Sequence, residues 1–267
     1  MTALPRVSCE VADGVAHVRL ARPDARNAID PALSAALEDA STACETDPRV
    51  RAVLISAEGP AFTVGGDLRH LSTYGDDLPG ALDAMIPGYH RAWARWARLD
   101  VPIVCAGQGA VAGGGLGLAW IADLLLAADD AVFATAFARI GLSGDGASSW
   151  FLPRLIGLRR AQEMLIGGRT VTAAEAIEWG LVTRVVPRAA LAAEASALAK
   201  HLAAGPTVAF AQMRHLLRTS WGATLEQQLD AEAAAMRLCG ATADAREGIA
   251  AFAAPRPARF NGGRAPQ

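Results

Sequence analysis

Three consecutive glycines, Gly113-Gly114-Gly115, constrain this chain more than any other feature. They follow a strand-like apolar run, Ile103 to Ala106, and open a helix-like apolar run, Leu116 to Ile121. Glycine has no Cβ, so its backbone can approach another segment or a ligand closely and leave its amides uncovered. The first amides of a helix lack an intrahelical acceptor and lie at the positive end of the dipole. Such a bend can hold a negative oxygen. A second glycine-rich bend, Phe62-Thr63-Val64-Gly65-Gly66-Asp67-Leu68, lies upstream after another strand-like run. Two amide-presenting bends can together form a two-donor oxyanion hole.

The rest of the chain alternates short strands with helices, the pattern of an α/β domain with parallel strands. Val11 to Leu20 reads as a hairpin around Asp13-Gly14. Asp30-Pro31 starts a helix, with Asp30 as N-cap and Pro31 at the first helical position. Val50 to Ser56 reads as a strand, residues 69 to 80 as a mobile loop, and Ala81 to Leu99 as a helix broken or kinked at Pro87. A helix over Gly114 to Ala122 is followed by strands at Leu124 to Ala127 and Phe133 to Thr135, which lead to the loop Ile140 to Gly146. From Pro206 onward the pattern is helical, over Ala209 to Leu217, Leu225 to Cys239 and Ala243 to Phe252, before a Pro-, Gly- and Arg-rich tail. The organisation expected is a main domain over residues 1–204 and a helical segment over 205–267.

Composition narrows the function classes. The 267 residues are 52% hydrophobic with a net charge of -2, so neither nucleic acid nor an anionic membrane is an expected partner. Cys9, Cys44, Cys105 and Cys239 are far apart in sequence, with no metal-ligand or CxxC spacing, so free thiols in the cytoplasm are expected and a metal site is not. The first residues show no basic n-region followed by an apolar h-region, so a signal peptide is not expected. The apolar window Ala110 to Ala128 contains Asp123 and several glycines, and reads as a buried strand–turn–helix.

Four segments resemble the crotonase (enoyl-CoA hydratase/isomerase) superfamily. They are Ala21-Arg22-Pro23-Asp24-Ala25-Arg26-Asn27-Ala28, Ala61-Phe62-Thr63-Val64-Gly65-Gly66-Asp67-Leu68, Pro102 through Gly115, and Ala173-Ala174-Glu175-Ala176 through Gly180-Leu181-Val182. Each is weak alone, whereas four in order and spacing cover nearly the whole chain. The resemblance implies an α/β fold of stacked ββα turns and a helical C-terminal segment that builds a homotrimer or a dimer of trimers. It implies an acyl-CoA thioester as substrate and no separate cofactor, because coenzyme A is part of that substrate. The hole donors would be the amides of Gly66 and Gly114.

One departure from the family matters. A hydratase of this group has two glutamates, and the corresponding places here hold Gly117 and Phe137. Neither can move a proton. The loop Gly141-Leu142-Ser143-Gly144-Asp145-Gly146 resembles relatives that use a lone aspartate, isomerases that shift double bonds in acyl-CoAs or open a ring in phenylacetyl-CoA breakdown. One carboxylate can take a proton from one carbon and return it to another. Asp145 has a second reading, as N-cap of a helix starting near Ala147.

His90, in Tyr89-His90-Arg91, is the second catalytic candidate. The 4-chlorobenzoyl-CoA dehalogenases of this superfamily pair an aspartate nucleophile at the Asp145 place with a histidine base from this helix. Two features differ here. Phe137 matches the tryptophan expected to support the aspartate, and Gly66-Asp67 stands where an aromatic pair is seen. Three functions therefore stay open: an isomerase, a dehalogenase-like hydrolase, and a non-catalytic acyl-CoA binder. The resemblance further implies substrate contacts at Arg26 (nucleotide phosphates or solvent), Ala28, Val64, Gly66, Asp67, Leu68, Gly114, Phe137, Leu142, Trp150 and Phe260, the last toward a ligand in a neighbouring subunit. Asp67 is expected to pair within its turn instead of moving protons.

Overall fold

The computed structural model describes residues 6–262. The chain opens with the antiparallel hairpin of β1 (Val7–Ala12) and β2 (Val15–Leu20). Asp13 and Gly14 both have positive φ, 51° and 77°, as a tight hairpin turn requires. After β2 the chain crosses to a second layer at Ile29 and enters α1 (Pro31–Thr46). Asp30 caps that helix, its Oδ1 accepting from the Leu33 amide at 2.8 Å.

The same path repeats. β3 (Ala52–Ala57) lies parallel to β2, Thr63 bridges to Val111 in the second layer, and α2 (Leu68–Leu71) and α3 (Leu78–Arg98) follow. β4 (Ile103–Gly107) leads to β5 (Ala110–Ala112) and α4 (Leu116–Trp120). β6 (Leu124–Ala128) leads to β7 (Val132–Ala134) and α5 (Ser148–Ile156). The result is a stack of ββα turns. α6 (Leu158–Leu165), β8 (Thr170–Thr172), α7 (Ala173–Glu178) and β9 (Arg184–Val186) close the stack. The main sheet runs β1-β2-β3-β4-β6-β9 and the second runs β5-β7-β8. Then come α8 (Leu191–Ala203), α9 (Thr207–Thr219), α10 (Leu225–Gly240) and α11 (Ala243–Ala253).

The central strands are buried on both faces, which explains their continuous apolar runs. Side chains alternate across the sheet. Val53, Ile55, Ile103 and Cys105 join the large core with α1 and α3, while Leu54, Val104 and Leu126 join a smaller one under α8.

Several expectations change. Residues 69–80 are not an open loop: Asp67 accepts from the amides of Arg69 and His70 and starts α2, and helical turns continue into α3. Pro87 does not end α3. A helix-interior proline costs about 3 kcal/mol, but Ala81, Met85, Tyr89, Ala92 and Trp96 form one buried stripe at helical spacing. Burial of each large side chain in that stripe contributes about 1.5–3 kcal/mol, so packing outweighs the lost bond. The helix read over Gly114 to Ala122 divides into a 3-10 turn over Gly113–Gly115 and the short α4. The fold also brings Cys9 beside Cys44, and the hydrogen bond from that neighbour lowers the Cys9 pKa.

Candidate active site

The two glycine bends touch. A Cβ placed on Gly65 would lie 2.9 Å from Cα of Gly113 and 3.3 Å from the Gly114 nitrogen. Both bends also have positive φ, 85° at Gly65 and 59° at Gly113, so neither position admits a side chain without strain. On either side of Gly66, the Gly65 carbonyl accepts from Ile29 and the Asp67 amide donates to Ile29. That pairing leaves the Gly66 amide outside the ladder. Gly114 sits in the first turn of its 3-10 helix, where amides have no intrahelical acceptor.

Gly66 and Gly114 line one cavity of about 420 Å³. Val64 and Leu68 border it from the first bend, and Phe137, Leu142 and Asp145 from the segment after β7. Leu71, Leu82, Met85, Ile86 and Tyr89 add an apolar wall. The irregular reading of residues 69–80 and the break expected at Pro87 concealed this wall. The 4-4-3-4 spacing of the buried stripe was the signal that could have found it.

Asp145 is the one carboxylate among the described residues lining this cavity. Its Oδ1 lies 2.6 Å from Nε2 of His90, and its Oδ2 would lie 3.6 Å from a Cβ on Gly114. The N-cap reading of Asp145 is overturned: α5 begins after Ala147 in left-handed conformation and has no side-chain cap. The carboxylate turns instead to His90, one turn beyond Met85 and Ile86 on α3. A hydrogen bond between a carboxylate and an imidazole can orient both groups and carry a proton between them.

The Gly117 position is closed as well as uncharged. A Cβ there would lie 2.6 Å from the Trp93 indole nitrogen and 2.8 Å from both the Tyr89 hydroxyl and the Gly146 carbonyl. A glutamate at this place would have to displace two aromatic side chains of α3. Phe137 lines the cavity with a ring that offers no hydrogen bond.

Other residues singled out in the sequence fall elsewhere. Asp67 is held as the α2 cap and by Arg22 at 2.7 Å, and these contacts together lower its pKa against the opposing effect of burial. Its side chain is therefore committed to the turn and does not line the cavity. Ala28 is buried, and its carbonyl accepts from Arg22. Arg26 is exposed after a 3-10 turn with φ 50°. Trp150 is a correction. It lies in the first turn of α5, against Trp221 at 4.6 Å and under the Arg154 guanidinium, and lines a separate cavity with Trp93, Phe151 and Arg218. Phe260 packs over Gly248 of α11 in its own chain. Among the described residues, no group of three or more His, Cys, Asp and Glu is placed to hold a metal ion, and no helix is long and apolar enough to cross a membrane.

Comparison with known proteins gives the family of the chain. The Enoyl-CoA hydratase/isomerase family profile matches residues 10–263. The 1,2-epoxyphenylacetyl-CoA isomerase of Escherichia coli K12 is 35% identical over 94% of this chain and 97% of its own. A 4-chlorobenzoyl coenzyme A dehalogenase of Arthrobacter is 34% identical over 82% of this chain and 80% of its own. The crystal structure of an enoyl-CoA hydratase from Polaromonas superposes with a TM-score of 0.90 at 32% identity, covering 96% of this chain and 99% of that one. With its stacked ββα turns and its two touching glycine bends, the chain belongs to the enoyl-CoA hydratase/isomerase family, whose members act on acyl-CoA thioesters.

Proposed function

We propose that the chain is an acyl-CoA isomerase that shifts a double bond, or rearranges a ring, through a thioester enolate. The amides of Gly66 and Gly114 would hold the enolate oxygen, and Asp145 would act as base and proton shuttle. The observation that carries this reading is the lone Asp145 carboxylate beside Gly114, with the Gly117 position closed by Tyr89 and Trp93. Removing a proton next to the thioester puts negative charge on its oxygen. Two fixed amides stabilise that charge more than they stabilise the ground-state carbonyl. Asp145 takes the proton from the α carbon, the double bond moves into conjugation, and the same carboxylic acid returns the proton at the γ carbon. The test is isomerisation of 3-enoyl-CoA substrates. Loss of turnover in Asp145→Asn supports the reading, and turnover at the parental rate ends it.

The 2.6 Å contact of His90 with Asp145 favours one second reading. In it Asp145 attacks an aryl carbon and expels halide, and His90 activates water against the resulting ester. Mass spectrometry in a single turnover with 4-chlorobenzoyl-CoA separates the two, because only this reading leaves an aryl ester on Asp145. Thioester binding with no turnover across aliphatic and aromatic panels would leave a non-catalytic binder.

We assign residues 1–204 to thioester binding and catalysis and residues 205–267 to assembly as a homotrimer or a dimer of trimers. Met213, Leu217, Leu225, Met236, Ile249 and Phe252 are exposed on α9 to α11, and Phe252 is 90% exposed. A face of that kind calls for a covering partner. Arg26 and Phe260 would serve the nucleotide end of the substrate, Phe260 from a neighbouring copy. Sedimentation that returns a monomer would remove the assembly part of this assignment.

A further inference from the structure

The geometry points to Tyr89 as a positioning residue that fixes the oxyanion glycine and the Asp145–His90 pair in one arrangement, an inference that rests on Gly114 being a thioester donor. Tyr89 is 3% exposed, and its hydroxyl donates to the Gly114 carbonyl at 2.6 Å. Burial, and then the charge of Asp145, raise its pKa well above the ordinary phenol value. It is therefore a neutral, permanent donor throughout the working range of pH.

A second segment approaches the Gly114 carbonyl closely. At Gly146, with φ 61°, an added Cβ would overlap that carbonyl. Each partner in this contact adjoins a group of the site. Tyr89 precedes His90 on α3, Gly146 follows Asp145 in its loop, and Gly114 is itself the amide donor. Three segments distant in sequence, α3, the glycine turn and the Asp145 loop, thus meet at the Gly114 carbonyl. Gly117 belongs to the same junction, since a Cβ there would meet the Tyr89 hydroxyl, the Trp93 indole and the Gly146 carbonyl. Absence of a side chain at Gly117 is what allows a tyrosine to reach Gly114. The position that cannot hold a glutamate is occupied by a brace.

α3 is itself anchored, which gives the brace a rigid base. Ser34 of α1 donates to the Met85 carbonyl at 2.8 Å, and Arg91 pairs with Glu38 of α1 at 2.6 Å. A hydroxyl fixed at its origin and bonded to a helix-initiating carbonyl limits rotation of Gly114. Oxyanion stabilisation depends on that fixity, because a donor that must reorient during reaction loses much of its advantage.

Tyr89→Phe removes one oxygen and keeps the ring. The expected result is a fall in kcat of about 10-fold or more, with KM within about twofold, since the lost fixity acts on the transition state and not on ground-state binding. The second readout is the carbonyl stretch of benzoyl-CoA and butanoyl-CoA labelled with ¹³C at the carbonyl, bound to parent and variant. Binding to the parent is expected to lower the stretch, and Tyr89→Phe to lose much of that shift. Gly146→Ala crowds the same carbonyl and is expected to weaken the shift too; it reads the contact if Tyr89→Phe fails to fold. A parental shift and kcat in a folded Tyr89→Phe overturn the inference alone. Absence of a shift in the parent with both probes overturns the donor assignment of Gly114, and this inference with it.

Discussion

Two of the molecule's paired carboxylates, Asp123 and Asp145, are similarly exposed and are built in opposite ways. Asp123, after α4, has both oxygens engaged: it accepts from the Ile103 amide at 2.8 Å, from Arg214 at 2.8 and 2.9 Å, and from Arg218 at 3.3 Å. Arg214 is 6% exposed and also donates to the carbonyls of Trp96, Ala97 and Leu99. Asp145 has only His90 as hydrogen-bonding partner among the described residues, with its second oxygen turned toward Gly114 and the cavity. The saturated pair ties α9 to the end of α3. The unsaturated pair has lone pairs left for a substrate proton or carbon. Spare hydrogen-bonding capacity, not burial, separates the chemical pair from the structural one.

That contrast is broken or sharpened by substitution. The largest expected effect is on Asp145→Asn, whose turnover should fall about 10²- to 10⁴-fold, the usual worth of a general base. Its thermal stability should stay close to the parent's, measured by calorimetry. Arg214→Ala should show the reverse, a stability loss of about 3–5 kcal/mol in denaturant titration, because it removes the main partner of Asp123 and leaves three carbonyls without their donor. Equal stability losses in the two variants would remove the distinction drawn between the pairs.

His90→Ala should have a smaller effect. Under the isomerase reading it removes one charge-assisted bond, worth about 1.5 kcal/mol or about tenfold in rate. Under the hydrolase reading it blocks the second half-reaction, so an ester on Asp145 should accumulate. Kinetics and intact-protein mass of the same variant therefore report on both.

The smallest effect belongs to a surface carboxylate with no role in the site. Glu175 closes the cap of α7, accepting from the Thr172 amide at 2.9 Å and from Arg169 at 2.6 Å, and these contacts lower its pKa to about 2. A depressed carboxylate contributes stability that is present above its ordinary pKa of 4.5 and lost as pH falls toward about 2. The difference in melting temperature between parent and Glu175→Gln should accordingly shrink across that window. A difference unchanged by acid would assign the cap to hydrogen bonding without charge.

Much of this arrangement was legible in the sequence, for reasons particular to each part. Asp13-Gly14, Asp30-Pro31 and the apolar runs of the core strands are local signals, and each formed the element expected. The glycine bends were readable because a missing side chain has few alternative uses beside a strand end. Asp145 and His90 were readable as a pair only through the family resemblance, since 55 residues separate them and only the fold sets their distance. Tyr89 was missed altogether. Its role depends on Gly114, Gly117 and Gly146 all lacking a Cβ at one point in space, which no periodicity records. Trp150 was misplaced because proximity in sequence to Asp145 does not survive the turn into α5, which carries the indole toward Trp221.

Enolate formation is the central claim, and hydrogen exchange at the substrate reads it without knowledge of the product. Acyl-CoA thioesters incubated with the protein in D₂O are analysed by NMR for deuterium at the α carbon. The account expects exchange catalysed by the parent and abolished in Asp145→Asn. No α-exchange in a saturated acyl-CoA, which has no double bond to carry the proton onward, or exchange undiminished when Asp145 is replaced, would contradict it.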